Sequence, residues 1–534
     1  MTVATDRAGA FHRRQAFAAL PRGTRGSHAT HRITGRHRLA QGRGLMARVA
    51  AIIGGGVVGA GWAARFLLNG WDVRLFDPDP ATPDRVGAVL ARARRALAGL
   101  GDVALPAEGT LSFCGLISET VTGADWIQES VPERLELKQT LFRKLQEHAD
   151  EGAILASSTS GLTPSELQAG LSDPGRILVC HPLDPVYLLP LVEVVHSDKN
   201  HPDLIDRARD TLAELGMFAL RVRGEITAHV ADRLQEALWR EALWLVRDEV
   251  AQVGEVDEAL RMGPGLRWAQ MGPFESARIA AGEEGMEAFL RRIGPALNWS
   301  RSKLTEVPEL DPALIARIVE QSDDASGHMT LDELRDQRDR TLVALLRSLS
   351  ADSRGAGAVL RRRDKARAEG RAMPRRIADL ADPSQPILTV DRAVPLDWLD
   401  DHDRMTGARH LEAFGQATDR LLEILGCTPE YIAAGKGFLV TESHIRQLDA
   451  AQAGAPLRIC SRVLGAGDGR LHLWHEMMSG ARLLASAEHL LEHADLDTRQ
   501  TCAPDPALAE AMRQLARAQA RTPAPEGAGR VRPG

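Results

Sequence analysis

The chain has little aromatic character, with tyrosine, phenylalanine and tryptophan making up 4% of 534 residues, and it has very few lysines beside its many arginines. Basic and acidic residues nearly balance, 66 against 72, for a formal net charge of −6. Arginine therefore reads as a bias of the whole sequence, and no nucleic-acid patch is expected. No apolar run approaches the ~20 residues that span a bilayer, so no membrane association is expected. The five cysteines (Cys114, Cys180, Cys427, Cys460, Cys502) are scattered without C-x-x-C spacing. That argues against a disulfide framework and against a zinc site, so the expectation is no metal and a reduced, cytoplasmic setting.

The chain is too long for one core, and roughly one domain per ~150 residues suggests three or four. Residues 1–45 stand apart, with nine arginines against the single acid Asp6 and no apolar h-region. A secretory signal is not expected there. The segment reads as a disordered, dispensable extension, with a mitochondrial transit peptide as the alternative, and Met46 would make a natural start.

Ala51-Ile-Ile-Gly-Gly-Gly-Val-Val-Gly59 joins an apolar strand to a G-x-G-x-x-G turn, the pattern of a dinucleotide site. Gly54 permits the tight turn, Gly56 lets backbone approach a pyrophosphate, and Gly59 lets the next helix pack close to the sheet. Gly55, Val57 and Val58 complete the phosphate-facing turn. The following strand ends at Asp77, eighteen positions after Gly59, where a carboxylate can accept both ribose hydroxyls. An acid there disfavours a 2′-phosphate, so the expected cofactor is NAD rather than NADP.

Residues 46–226 alternate apolar strands with helical stretches, which predicts a Rossmann-type, doubly wound parallel sheet. Residues 227–350 read as an all-helical domain, opened by a helix over 229–250 with Leu234, Leu238, Ala242 and Leu245 on the face to be buried. The arginine-rich stretch 351–386 reads as a linker, which predicts that the halves on either side work independently. Residues 387–495, one helix over 407–425 followed by strands, read as an α+β domain, and 496–534 as a short helix followed by a largely disordered tail.

Ser157-Ser-Thr-Ser-Gly161, His181-Pro-Leu-Asp-Pro185 and Leu191-Val-Glu-Val-Val195 follow the ends of successive strands, where ligands collect in open α/β sheets. His181 lies twelve residues before Glu193. A histidine held by a carboxylate suits removal of a hydroxyl proton while hydride leaves the same carbon; a purely structural pair is the alternative. Together with Gln128-Glu-Ser-Val-Pro-Glu-Arg134 and the 261–274 segment, these motifs resemble the 3-hydroxyacyl-CoA dehydrogenase superfamily, most closely its L-carnitine 3-dehydrogenase branch. The resemblance covers residues 47 to about 350. It implies His181 as acid/base, Glu193 as its orienting partner, Ser160 as a substrate or nicotinamide contact, and Glu133 and Lys138 near the cofactor. Asp184 and Asp232 stand where much of the superfamily has asparagine, and Asp232 is expected to help receive a cationic substrate. Carnitine's quaternary ammonium is best held by aromatic faces and carboxylates, which makes Trp268 and Phe274 the candidates for a cage.

The C-terminal segment beginning Val394-Pro-Leu-Asp-Trp-Leu-Asp-Asp-His-Asp-Arg-Met405 resembles hot-dog thioesterases of the 4-hydroxybenzoyl-CoA type, in particular the betainyl-CoA thioesterases fused to carnitine dehydrogenases. It implies Asp400 as the catalytic carboxylate, with helix N-terminal amides for the oxyanion. Asp403-Arg404 replaces that family's usual Gly-His dipeptide. The implied substrates are carnitine and betainyl-CoA, and a homodimer is expected. The alternative is a 3-hydroxyacyl-CoA dehydrogenase carrying a non-catalytic acyl-CoA-binding or oligomerisation module.

Overall fold

The computed structural model describes residues 48–297, 309–368, 373–400 and 402–531; the extension expected over residues 1–45 lies outside them. The first sheet contains β1 (Val49–Ile53), β2 (Asp72–Phe76), β3 (Leu111–Phe113), β4 (Trp126–Glu129), β5 (Ile154–Ser157), β6 (Ile177–Pro182), β7 (Leu191–Val195) and β8 (Phe218–Arg221), in the order β3-β2-β1-β4-β5-β6-β7-β8. Its central strands are buried almost throughout, as expected of a sheet covered on both faces. The sheet is not wholly parallel: β7 runs antiparallel to β6, and β8 follows β7. Helices α1 (Val57–Leu67) and α2 (Thr82–Ala98) pack side by side. The scarce aromatics are spent here, with Trp62, Phe66, Trp71 and Trp126 in one buried cluster whose ring centroids lie 5.1 to 6.4 Å apart.

The helical region follows, opening with Ala231–Arg247 and ending with Leu331–Ala351. The expected apolar stripe is only partly covered among the described residues, with Ala242 and Leu245 half-buried. Leu234 and Leu238 are 60% and 42% exposed, and Leu243 and Val246 are the buried residues of that helix.

Two stretches differ from their sequence reading. The supposed linker carries a helix, Gly355–Ala368, packed against Leu331–Ala351. A Cβ at Gly357 would lie 2.1 Å from the Leu349 carbonyl carbon, so close approach supplements the short apolar patch of Val359 and Leu360. Arg363 is buried there beside Asp364 and Gly216. In the tail the expected short helix is Pro506–Gln519, which lays Leu508, Met512 and Leu515 on the second sheet, and the departure lies in the ordered stretch after it. Further on, the Gly529 and Arg530 amides both donate to Glu488 at 2.9 Å.

The second sheet contains β9 (Ile387–Ala393), β10 (Lys436–Gln447), β11 (Pro456–Gly467), β12 (Arg470–Ser479) and β13 (Arg482–Asp495), antiparallel in the order β10-β13-β12-β11-β9. The helix Gly407–Leu425 buries Ala413, Phe414, Ala417 and Leu421 against it. This is a hot-dog arrangement, one long helix wrapped by a sheet.

The two halves are joined, contrary to the linker reading. Leu396 belongs to the first domain's core, and its N–H donates to the Gly99 carbonyl at 2.9 Å. The Ala393 N–H donates to the Asp102 carbonyl at 3.0 Å. Arg392 and Arg347 converge on the Asp102 carboxylate at 2.6 and 3.1 Å, and Arg347 also reaches Asp397 at 2.7 Å.

Candidate active sites

The glycine turn between β1 and α1 is dictated by space. Gly54 has φ +99, and a Cβ on it would sit 2.6 Å from the Ser130 carbonyl oxygen. A Cβ on Gly59 would lie 1.9 Å from the Gly54 carbonyl oxygen. Gly56 differs, since its Cβ position meets nothing within 4 Å. That open space lies at the start of α1, whose N-cap receives no side-chain hydrogen bond, so the first amides of the helix, at Val57 and Val58, are left for a ligand to satisfy. Asp77 is fixed at the end of β2: one oxygen accepts the Gly55 N–H at 2.6 Å and the other the Asp79 N–H at 2.8 Å. Open space, helix amides and a fixed carboxylate fit a dinucleotide.

Under the ends of β4 and β5 lies a buried ionic network. Lys138 donates to Glu129 at 2.7 Å and to the Val131 carbonyl at 3.1 Å, and stands 3.3 Å from Glu133. Glu133 also accepts from the Thr159 hydroxyl and, at 3.0 Å, from the Gly161 amide. Burial works against its charge, but the Thr159 hydrogen bond and Lys138 hold its carboxyl below the usual carboxylate range. Lys138 is buried between Glu129 and Glu133. Ser160 is exposed beside the buried Thr159. It does not cap the next helix, because Thr163 and Glu166 form that capping box.

The antiparallel turn of β7 makes His181 and Glu193 direct cross-strand partners. His181 Nδ1 lies 3.2 Å from Glu193 Oε2. The other Glu193 oxygen accepts the Val230 and Ala231 amides at 2.9 and 3.0 Å, at the start of the helix Ala231–Arg247. Burial opposes the charge, but His181 and these two amides keep the Glu193 carboxyl below its ordinary value. His181 Nε2 faces Asp232 Oδ2 at 3.4 Å. Asp184 is ion-paired with Arg338 at 3.0 Å, and Arg338 is itself braced by Asp339 and Tyr187. Trp268 and Phe274 are 41% and 78% exposed, and among the described residues neither makes a ring contact with His181.

In the hot-dog domain Asp400 is held by its own turn. One oxygen accepts the His402 and Arg404 amides at 2.9 and 3.0 Å, and Arg404 Nη2 stands 3.6 Å from the other. The amide hydrogen bond from Arg404 leads in holding this carboxyl below the usual range. The helix begins only at Gly407, so these amides come from the turn rather than from the helix. Asp403 has φ +57, a left-handed position that aspartate tolerates better than most residues.

The hot-dog core carries a polar seam. Thr389, Ser461, His475 and Thr418 form a buried chain linked at 2.6, 2.7 and 3.1 Å, and His489 bonds Ser443 at 2.7 Å. Burial pushes His489 down to about 4, and burial, then His489, lowers His475 well below its ordinary value. Both histidines lose protons on folding. Their stabilisation is therefore complete above the unfolded value near 6.5 and is lost as pH falls below it, down to about 4 for His489, at up to ~1.4 kcal/mol per pH unit for each histidine. The urea midpoint at pH 5 should accordingly lie below that at pH 7, and His489→Asn should narrow the difference. Equal midpoints for the parent at both pH values would contradict this.

Comparison with known proteins covers both halves. Residues 49–226 match the 3-hydroxyacyl-CoA dehydrogenase NAD binding domain, 229–308 its C-terminal domain, and 394–512 the thioesterase-like superfamily. The chain is 55% identical to the L-carnitine dehydrogenase/betainyl-CoA thioesterase of Ruegeria pomeroyi, covering 90% of this chain and 98% of that one. It is 43% identical to the protein of the same name from Rhizobium meliloti, again over 90% and 98%. The chain belongs to the L-carnitine dehydrogenase/betainyl-CoA thioesterase family. An L-carnitine dehydrogenase of Mesorhizobium japonicum, 48% identical, covers 58% of this chain and 85% of its own length.

Three features of this L-carnitine dehydrogenase/betainyl-CoA thioesterase family member escaped the sequence reading. Glu129 lay inside a quoted motif, but its buried pairing with Lys138 needed the β4 end and the next helix together. Arg338 comes from a helix far along the chain. His229 is buried with its ring 5.4 Å from that of His181. Its Nε2 is 3.0 Å from the Thr159 carbonyl and so donates to it, while Nδ1 has no partner among the described residues. Two consecutive left-handed residues, Ala228 and His229 (φ +62 and +49), mark that position, which no periodicity signals.

No helix among the described residues is long and apolar enough to cross a membrane, and no cluster of metal-ligating side chains occurs among them.

Proposed function

We infer that the chain is a bifunctional enzyme of carnitine breakdown, oxidising L-carnitine to 3-dehydrocarnitine with NAD and hydrolysing betainyl-CoA to glycine betaine. The observation that carries the oxidation is the His181–Glu193 pair with Asp232 on its far side. Glu193 accepts the Nδ1 proton, which leaves the Nε2 lone pair to take the proton of the substrate hydroxyl. As the imidazolium forms, Glu193 and Asp232 flank it with negative charge. When bound, NAD supplies the hydride acceptor. Asp232 also suits the substrate's trimethylammonium, and the exposed rings of Trp268 and Phe274 are free to complete a cage. Ser160, exposed at the end of β5, is assigned to the substrate or the nicotinamide.

For the hydrolysis, Asp400 stays ionised because its turn solvates it, and it either activates water or attacks the thioester carbonyl. The domain division near residues 226, 350 and 387, a cytoplasmic location and a homodimer belong to the same reading. The exposed apolar face at Leu234 and Leu238 supports the dimer, and five cysteines in the thiol form support the location. The test compares NADH formation from L-carnitine and from 3-hydroxybutyryl-CoA, and thiol release from betainyl-CoA. Preference for the acyl-CoA, with no thiol release, would favour the alternative of a non-catalytic hot-dog module.

Asp77→Ala should raise the Michaelis constant for NAD about 10-fold or more, the scale of losing hydrogen bonds to a charged group, and should relax discrimination against NADP. Unchanged cofactor kinetics would remove Asp77 from the site.

A further inference from the structure

The joint between the two halves is aimed at one loop. From the dehydrogenase side, Gly99 and Asp102, just past the end of α2, hold Leu396, Ala393 and Arg392, and Arg347 holds Asp397. The approach is close, since a Cβ on Gly99 would lie 2.8 Å from the Leu396 Cβ. The next contact along the chain falls inside the Asp400 turn, where Arg95, in the last turn of α2, is ion-paired with the Asp403 carboxylate. Asp403 sits at φ +57, a left-handed conformation that glycine adopts more readily than any residue with a Cβ. The same turn is closed by the Asp403 N–H on the Asp400 carbonyl at 3.0 Å and the Asp400 N–H on the Arg404 carbonyl at 2.8 Å. Whatever holds Asp403 left-handed therefore keeps the His402 and Arg404 amides pointed at the Asp400 carboxylate.

We propose that Arg95 of the dehydrogenase domain is a positioning residue for the thioesterase, tethering Asp403 so that the turn presents Asp400 in its working geometry. The inference rests on the assignment of Asp400 made above. It also gives the fusion a physical purpose, because one catalytic loop is completed by a helix of the other enzyme.

The experiment uses the full chain and measures betainyl-CoA hydrolysis in the parent, Arg95→Ala, Asp403→Gly, the double variant and Asp400→Asn. Glycine adopts the left-handed conformation freely, so in the Asp403→Gly background the tether has nothing to hold. Arg95→Ala should lower kcat about 10-fold or more with little change in KM, as expected of a misplaced catalytic group, while carnitine oxidation and the melting temperature stay as in the parent. In the Asp403→Gly background, Arg95→Ala should change kcat by less than about 2-fold, the spread of independent sites. A merely structural loss would carry over to both backgrounds. If Asp400→Asn is inactive but Arg95→Ala keeps the parent's kcat, or loses the same factor in both backgrounds, the role of Arg95 is overturned. If Asp400→Asn hydrolyses as the parent does, the assignment of Asp400 falls and this inference with it.

Discussion

Replacing His181 with alanine should lower the turnover of carnitine oxidation about 10²–10⁴-fold, the usual loss when a positioned acid/base group is removed, while NAD binding survives. The cofactor cradle at Gly54, Gly56 and Asp77 shares no hydrogen bond with His181 among the described residues. Glu193→Ala should also cut turnover, but by a mixed route. It removes the partner of His181 Nδ1 and also strips the acceptor from the Val230 and Ala231 amides. These donors are part-buried, so leaving them without an acceptor costs up to ~1–3 kcal/mol, and this variant should lose stability as well as rate. Glu193→Gln separates the two effects. Its amide oxygen can still receive the helix amides, whereas it brings no negative charge to the imidazolium. Steady-state turnover, NAD affinity by fluorescence and melting temperature make the comparison. Turnover of His181→Ala within a few-fold of the parent would place the chemistry elsewhere.

What could be read from the sequence follows the range of the interactions. The glycine turn and Asp77 were legible because spacing along a strand, a turn and a helix is local information, and Gly54 and Gly59 are indeed required by contacts of under 3 Å. His181 and Glu193 stood out as types, but their pairing depends on β7 reversing direction beside β6, which no short-range pattern encodes. β13 is hard to read as a strand because Ala485-Ser-Ala-Glu-His-Leu-Leu491 is rich in good helix formers, yet it is buried in mid-sheet between β10 and β12, where tertiary pairing outweighs propensity. The Gly355–Ala368 helix reads as a linker for the opposite reason. Its sequence has only a short apolar patch, Val359 and Leu360, which it buries together with Gly357 and Arg363. Arg338 and Arg95 come from helices remote in sequence from the loops they brace, so neither could be found without the fold.

Asp400→Asn should abolish betainyl-CoA hydrolysis and leave carnitine oxidation intact. Asparagine keeps the size of the side chain, and its amide oxygen can still accept the His402 and Arg404 amides that hold Asp400. The turn should therefore persist, and the variant tests the negative charge alone. Without that charge the residue can neither take a proton from water nor attack a thioester carbonyl, so both mechanistic routes close together. The parent's hydrolysis should hold its rate well into acid, because the turn amides keep Asp400 ionised below the ordinary carboxylate pKa of about 4. Oxidation should be spared although the two halves are docked: among the described residues the hydrogen bonds to the Asp400 carboxylate come from its own turn, and the contacts that cross the joint, through Arg95, Asp102 and Arg347, go to other residues. Thiol release and NADH formation measured on one preparation give both answers. Hydrolysis by Asp400→Asn at the parent's rate would return the hot-dog domain to a binding or assembly role, whereas loss of both activities would show that the turn, and not only its charge, braces the dehydrogenase.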